Sequence, residues 1–177
     1  MPAVSDSGPL IHLAQTGHIR LLKNIFGEIF IVLAIKREVV DEGIRQGYPD
    51  AKLVSQALGE GYVVVHRVEG RIANRAANLA KQEKISESDS QTLLLAKALR
   101  KPLMTDEKVL STLAKMYGLE VWNTWAVLLE ALRRNLIEKR EIHKAIRELA
   151  ERRHKLSPDG AKQVLDAADR IRASRAS

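Results

Sequence analysis

The 177-residue sequence predicts an α/β domain, in which a parallel five-stranded sheet is flanked by helices and a C-terminal helical hairpin follows. Short apolar segments alternate with stretches of helical periodicity, and the turns between them are short. This alternation is typical of parallel strands joined by crossover helices, with helices on both faces of the sheet. Residues 138–177 instead carry two amphipathic stripes around a Ser-Pro-Asp-Gly corner, which predicts the hairpin.

Strands are predicted where a short apolar run ends at a turn signal. The first one ends at Asp6, because Ser7, Gly8 and Pro9 cannot continue a strand. The predicted strands are residues 3–5, 29–32, 62–65, 103–105 and 119–122.

Helices are predicted where apolar residues recur at helical spacing between caps and breakers. Asp50 and Thr124 are expected to cap two helices, and Ser86 a third, with Asp89 in the place of a capping-box acid. In the hairpin, Pro158 suits the first position of the second helix. The predicted helices before the hairpin are residues 10–14, 18–23, 34–45, 50–59, 71–84, 86–99, 107–117 and 125–134.

Composition limits the classes of protein that the chain can belong to. The hydrophobic content of 45% suits one well-buried domain, and the absence of cysteine excludes disulfides and thiolate metal sites. The N-terminal residues lack a basic region before an apolar stretch, and no window approaches the roughly 18 to 20 apolar residues of a membrane span. We therefore expect a cytoplasmic protein that is neither exported nor embedded in a membrane.

Positive charge is concentrated in the C-terminal part of the chain. Residues 1–132 hold 16 Lys+Arg and 15 Asp+Glu, whereas residues 133–177 hold 13 Lys+Arg and 7 Asp+Glu. The second segment therefore supplies +6 of the total formal net charge of +7. Such clustering is expected of a protein with a polyanionic partner, although a solvated basic face gives the same count.

Acids from separate predicted elements are the candidate functional residues. Asp6 and Asp106 follow predicted strands, Asp89 begins a helix, and Glu38 lies on the helix after the second strand. Ligands bind at the carboxyl ends of parallel strands, and converging carboxylates without cysteine favour a hard cation such as Mg²⁺ or Mn²⁺. A metal held there can activate water for attack on a phosphodiester.

Each acid also has a purely structural interpretation. Asp6 suits a turn that bonds its own backbone, Asp89 and Asp106 suit helix N-caps, and Glu38 suits a solvated helix face.

The histidines and tryptophans are expected to have structural roles. His12, His66 and His143 are isolated in the sequence, which predicts surface or packing positions and neither ligands nor bases. Trp122 and Trp125 fall in an apolar strand-to-helix joint, which favours core packing over base stacking.

Five segments in this order resemble the PIN domain, a small α/β nuclease fold, over residues 1–137. They are VSDSGPLI, IKREVVDEG, ESDSQTLLLAKAL, LMTDEKVL and WNTWAVLLEALRRNLI. Within that family the sequence resembles bacterial and archaeal PIN-like proteins that are predicted to bind nucleic acid, and it also resembles the VapC-type toxins of toxin–antitoxin pairs. The resemblance implies a three-layer fold in which the first and fourth strands are neighbours.

The resemblance also implies roles for particular residues. The catalytic, metal-binding quartet would be Asp6, Glu38, Asp89 and Asp106, with Glu87 competing with Asp89 for the third place as a metal ligand. The residues that would line the site and contact the substrate are Ser7, Thr105, Asn123 and Thr124.

These observations predict a ribonuclease that depends on Mg²⁺ or Mn²⁺ and cleaves single-stranded or structured RNA through an activated water. The alternative is a PIN-like module with little or no turnover that binds nucleic acid or an antitoxin-like protein. A homodimer is expected, and the choice between RNA and DNA stays open. The predicted domains are a nuclease domain at 1–137 and a basic helical extension at 138–177. A receiver-like or hydrolase-like phosphotransfer fold fits less well, because the residue two positions after Asp6 is Gly8.

Overall fold

The computed structural model describes residues 1–152 and 154–176. Arg153 and Ser177, which belong to the predicted hairpin, lie outside the described residues.

A five-stranded parallel sheet with the order β3-β2-β1-β4-β5 forms the centre of the protein. This arrangement confirms the predicted fold class, and β1 lies between β2 and β4, as the PIN resemblance implied. The strands are β1 (Ala3–Ser5), β2 (Ile29–Val32), β3 (Val63–His66), β4 (Leu103–Met104) and β5 (Val121–Trp122).

Helices connect the strands and cover the sheet. Three of them, α3, the π-helix and α4, follow one another without a break after β2. The helices are α1 (Ser7–Gln15), α2 (Arg20–Phe26), α3 (Leu33–Lys36), a π-helix (Arg37–Glu42), α4 (Gly43–Arg45), α5 (Pro49–Gly59), α6 (Gly70–Glu83), α7 (Glu87–Leu99), α8 (Lys108–Met116), α9 (Thr124–Arg133), α10 (Lys139–Glu151) and α11 (Pro158–Ala176).

The register of the sheet places the ends of β1 and β4 side by side. Ser5 pairs with Met104, and the Asp6 amide donates to the Met104 carbonyl at 2.9 Å. The Thr105 amide donates to the Trp122 carbonyl of β5 at 2.9 Å. Because all strands are parallel, Asp6 and Asp106 therefore emerge at the same edge of the sheet.

Two of the predicted helix caps are wrong. Tyr48 occupies the N-cap of α5, while Asp50 lies in its first turn, because Pro49 already takes the first helical position. The N-cap of α9 is Asn123, whose Oδ1 accepts from the Ala126 amide at 2.8 Å. Thr124 is thus the first residue of α9, and its hydroxyl is left available for another partner. By contrast, Ser86 caps α7 as predicted, with its Oγ accepting from the Asp89 amide at 3.0 Å.

The predicted helix at 34–45 is not a continuous α-helix. Its centre is the π-helix, so that the consecutive residues Val39 and Val40 are both buried. At the start of α4, directly after the π-helix, a Cβ on Gly43 would lie 2.6 Å from the Cβ of Ala51 on α5. Glycine at that position therefore allows the two helices to pack closely.

The C-terminal helices pack on the same core as the sheet. Ile142, Ala145 and Leu149 of α10 and Ala168 of α11 are fully buried, and they belong to one cluster with the apolar residues of the strands. Pro158 is the first residue of α11, as predicted. The burial of these side chains is favourable for stability by roughly 1.5 to 3 kcal/mol for each large aliphatic group. None of the helices in the described part of the chain is long and apolar enough to cross a membrane.

Candidate active site

Asp6 is a buried carboxylate at the carboxyl end of β1, with 2% of its surface exposed. It is the N-cap of α1, and its Oδ1 accepts from the Ser7 amide at 2.6 Å. Its Oδ2 accepts from the Thr105 hydroxyl at 3.0 Å. Both the strand that ends at Asp6 and the helix that begins after it therefore fix this side chain.

The pKa of Asp6 identifies the other acids that lie near it. Burial raises this pKa from 3.8 to about 6, and the negative charges of Asp89 and Glu38 raise it as well. The hydrogen bonds from Ser7 and Thr105 act in the opposite direction but do not cancel the rise. The charges of Glu38 on the π-helix and Asp89 on α7 thus act on the carboxylate at the end of β1.

Glu38 is an exposed residue in the first turn of the π-helix. A π-helix hydrogen-bonds from i to i+5, and such turns occur frequently at functional sites. The sequence predicted that Glu38 lies beside an apolar stripe, but its position on a π-turn depends on how this segment packs against α5.

The first turn of α7 carries both candidates for the third acid. Asp89 is partly buried and acts electrostatically on Asp6. Glu87 is exposed, accepts from the Gln91 side chain at 3.1 Å and lines a groove of about 410 Å³. These contacts favour Asp89 as the acid nearest to the buried carboxylate, while the choice between the two as a metal ligand stays a prediction.

Asp106 lies at the same sheet edge but has a different environment. Its Oδ1 accepts from the Thr124 amide at 2.8 Å, and its Oδ2 accepts from the Thr124 hydroxyl at 2.6 Å and contacts Nδ1 of His12 at 2.6 Å. Burial raises the pKa of Asp106, but the hydrogen bonds from His12 and Thr124 outweigh it and hold the pKa below 3.8. An ionised carboxylate only accepts, so Nδ1 of His12 is the donor.

A comparison with protein-family models gives a match to a PIN domain family, DUF3368, over residues 2–170. The chain belongs to the PIN domain family. No curated protein matches it. The match includes α10 and most of α11, whereas the resemblance in the sequence was carried by residues 1–137. The boundary between a nuclease domain and an extension at residue 137 stays a prediction.

The acids of this PIN domain have the donor set that a divalent cation prefers. PIN domains are generally metal-dependent nucleases, and Mg²⁺ and Mn²⁺ are the ions they usually take. In this chain the groups that raise the pKa of Asp6 beyond the effect of burial are two other carboxylates. A bound divalent cation would reverse the sign of that local field, and the role of Asp6, Glu38 and Asp89 as its ligands stays a prediction.

The predicted substrate-contacting residues of the PIN domain are distributed around this edge. Ser7 Oγ lies 3.4 Å from Asp6 Oδ1, and the Thr105 hydroxyl accepts from the Glu107 amide at 3.1 Å in addition to bonding Asp6. Asn123 is exposed, whereas Thr124 is buried against Asp106. Their contact with a substrate stays a prediction.

His12 is a residue of this edge that sequence reasoning missed. It belongs to α1 and contacts Asp106, which is 94 residues away in the chain. Its ring stacks on that of His154, with centroids 3.6 Å apart and an interplanar angle of 23°. No spacing in the sequence could indicate these contacts, because the three residues come from three distant segments. The prediction that His12 has only a surface or packing role therefore missed its contact with a site acid.

Trp125 and Trp122 pack as predicted. Trp125 is buried on α9, and Trp122 makes an edge-on contact with Phe26 at 5.2 Å between ring centroids.

Proposed function

We propose that this PIN domain is a metal-dependent ribonuclease whose ion-binding group is centred on Asp6. The observation that carries the proposal is the buried carboxylate of Asp6 at the carboxyl edge of the sheet, whose pKa is raised by burial and by the negative charges of Asp89 and Glu38. A buried carboxylate that also experiences the charge of other acids is unfavourable for stability unless a cation balances it. The energetic cost of this arrangement supports a functional role.

Mg²⁺ or Mn²⁺, when bound, would supply a Lewis acid that lowers the pKa of water and stabilises charge on a phosphate. Asp6 would hold the ion from a position that Ser7 and Thr105 fix, and Glu38 and Asp89 would be further ligands. Asp106 belongs to the proposed quartet, and its contacts with Thr124 orient the start of α9 toward the same edge.

Two depressions beside the acids carry cationic side chains that suit a nucleic-acid backbone. The groove of about 410 Å³ between the π-helix and α7 is lined by Arg37 and Arg67 as well as Glu87. A pocket of about 250 Å³ contains Asp106, Asn123, Lys108 and Lys115. Phosphate contacts of this kind position a polyanion without reading its sequence. We infer that RNA crosses the acidic edge from one depression to the other.

The central experiment measures Mn²⁺-dependent cleavage of a single-stranded RNA by Asp6→Asn, Asp89→Asn, Glu38→Gln and Asp106→Asn variants. We expect Asp6→Asn and Asp89→Asn to lower the rate roughly 100-fold or more, because each removes a charged ligand. Asp41→Asn is the matched control, since Asp41 is an exposed acid on the same π-helix and pairs with Lys36. Undiminished cleavage in folded Asp6→Asn and Asp89→Asn proteins would refute the proposal.

The alternative of a binding module without turnover gives a different result in the same assay. Such a module would bind RNA with an affinity that Mg²⁺ does not change, and it would cleave no RNA with any metal. A parallel series with single-stranded DNA tests the choice of nucleic acid.

The proposed path of the nucleic acid is tested by salt dependence. Arg37→Ala and Arg67→Ala should each weaken binding of RNA to the Asp6→Asn protein and reduce the slope of log K against log salt by about 1. Arg147→Ala on α10, an exposed arginine on another element, serves as the control. Equal effects of all three variants would show that the binding is diffuse and would contradict the path.

The homodimer and the antitoxin-like partner are proposals that the described contacts do not address. Light scattering on the full chain tests for the homodimer, and a molar mass equal to that of one chain at all concentrations would reject it.

A further inference from the structure

We propose that His12, Asp106 and His154 form a site for Zn²⁺, which shares Asp106 with the proposed quartet but uses none of the acids around Asp6. One donor atom from each residue lies within 4.8 Å of the others, and the cluster joins α1, the end of β4 and the segment after α10. The proposal goes beyond the ribonuclease function, because it concerns a different class of ion and is tested by binding.

The donor types favour zinc over magnesium. Zn²⁺ binds imidazole nitrogen at about 2.0–2.1 Å and carboxylate oxygen at about 2.0–2.2 Å, whereas Mg²⁺ takes oxygen ligands. Ligand atoms at those distances from one tetrahedral ion are about 3.3 Å apart. The donor atoms of the cluster, all within 4.8 Å of one another, would therefore need to change their separations by at most about 1.5 Å.

His154 is held close to the cluster by its neighbours. Its amide donates to the Leu149 carbonyl of α10 at 2.9 Å, and its ring lies between that of His12 and that of Trp125, which is 6.2 Å away with an interplanar angle of 7°. Leu149 is fully buried, so the turn after α10 is anchored to the core. The ring is therefore fixed over His12 by both backbone and stacking contacts.

The electrostatics of His154 suit a neutral metal ligand. Its Nε2 is buried and has no hydrogen-bond partner among the residues that the structure describes. Burial lowers the pKa of His154, and the neighbouring His12 lowers it further, while Asp106 opposes the shift. A buried nitrogen without a partner is unfavourable for stability, and ligation of an ion would supply the missing partner.

His12 and Asp106 are already in contact, with Nδ1 of His12 2.6 Å from Oδ2 of Asp106. A bound ion would take the place of the proton that this nitrogen donates to the carboxylate, because a ligating histidine nitrogen carries no proton. Thr124 in turn donates two hydrogen bonds to Asp106, so the carboxylate is held as firmly as the two rings. An open fourth position would be left to water, as three protein ligands provide only part of a tetrahedral shell.

The test is a titration of the metal-free full chain with Zn²⁺ in competition with a chromophoric chelator, together with the visible spectrum of the Co²⁺ form. We expect one ion per chain and a Co²⁺ spectrum typical of nitrogen and oxygen ligands. His12→Gln and His154→Gln should each weaken Zn²⁺ binding about 10- to 100-fold and abolish that spectrum. Zn²⁺ should also raise the Tm of the wild type and leave the Tm of His154→Gln unchanged.

Two controls separate this site from others. The Nδ1 of His18 is likewise buried without a partner in the described residues, and its Nε2 lies 3.4 Å from Glu141. The His18→Gln protein should therefore bind Zn²⁺ as the wild type does. Asp6→Asn should also keep Zn²⁺ binding, whether or not the ribonuclease proposal holds. Absence of tight binding, or tight binding that survives in folded His12→Gln and His154→Gln proteins, would overturn the proposal.

Discussion

Asp6 and Asp106 follow neighbouring parallel strands of one sheet and are both nearly buried, with 2% of Asp6 and 8% of the Asp106 side chain exposed. The pKa of Asp6 is raised to about 6, whereas that of Asp106 is lowered. Burial acts in the same direction on both, so the difference comes from their neighbours. Asp6 faces Asp89 and Glu38, while Asp106 receives hydrogen bonds from Thr124 and His12.

This comparison indicates that the sheet edge has two electrostatically distinct halves. The half around Asp6 concentrates negative charge, which suits a divalent cation. In the half around Asp106, a histidine and the N-terminal end of α9 stabilise the ionised form of the carboxylate. The same residue type at equivalent strand ends can therefore serve different purposes, depending on the elements that pack around it.

The largest expected effect is the pH dependence that Asp6 gives to the metal-free protein. Its pKa of about 6 in the folded protein exceeds 3.8, the ordinary pKa of an aspartate, so the folded protein binds the proton more tightly than the unfolded chain does. The contribution of Asp6 to the free energy of unfolding is therefore full below pH 3.8 and is lost as the pH rises through 6. The change is about 3 kcal/mol.

Urea unfolding of the wild type and of Asp6→Asn in chelator, between pH 4 and pH 7, measures this effect. Asparagine does not ionise, so the stability of Asp6→Asn relative to the wild type should increase by about 2.4 kcal/mol over this range, which is most of the full change. Asp166→Asn, at an exposed position on α11, is the control and should follow the wild type. Parallel curves for Asp6→Asn and the wild type would contradict the account of Asp6.

Asp106→Asn should have the opposite effect at neutral pH. The lowered pKa means that the ionised form stabilises the fold above pH 3.8, and that this contribution is lost as the pH falls below that value. Replacement by asparagine weakens the charge-assisted bonds from His12 and Thr124, at a cost of about 2 kcal/mol at pH 7. Chemical denaturation of the two asparagine variants side by side checks the sign, and destabilisation by both variants alike would remove the distinction between the halves.

A smaller effect is expected at the residue that links the two halves. The Thr105 hydroxyl donates to Asp6 and accepts from the Glu107 amide, next to Asp106. Thr105→Val should destabilise the protein by about 1 kcal/mol and raise the pKa of Asp6 further, because a donor to the carboxylate is lost. Thr112→Val on α8 removes a hydroxyl that bonds the Lys108 carbonyl and is exposed, and it should change stability less. Equal changes in the two variants would mean that Thr105 does not link the halves.

The acids of the site could be found in the sequence because their positions follow from local rules. Asp6 ends a strand before Ser7-Gly8-Pro9, and Asp89 lies in the first turn of a helix that Ser86 caps. Parallel strands expose their carboxyl ends at one edge, so the placement of Asp6 and Asp106 together followed from the fold class. Glu38 was found from its place on the predicted helix after the second strand, and the resemblance to the family then gave it a role.

The remaining features depend on contacts that no local pattern encodes. The N-cap of α9 is Asn123 and not the predicted Thr124. The Thr124 hydroxyl instead donates to Asp106, 18 residues earlier in the chain. His12 looked isolated because its partner Asp106 is 94 residues away.

The sequence by itself determined the fold class, the five strands and the presence of acids at the strand ends, because hydrophobic periodicity and turn residues act over a few neighbouring positions. Only the tertiary structure decided which acid is unbalanced, where the π-helix places Glu38, and that two histidines meet at Asp106. A pKa and a ligand set depend on distances of a few ångströms between segments that are far apart in the chain, and packing alone fixes those distances.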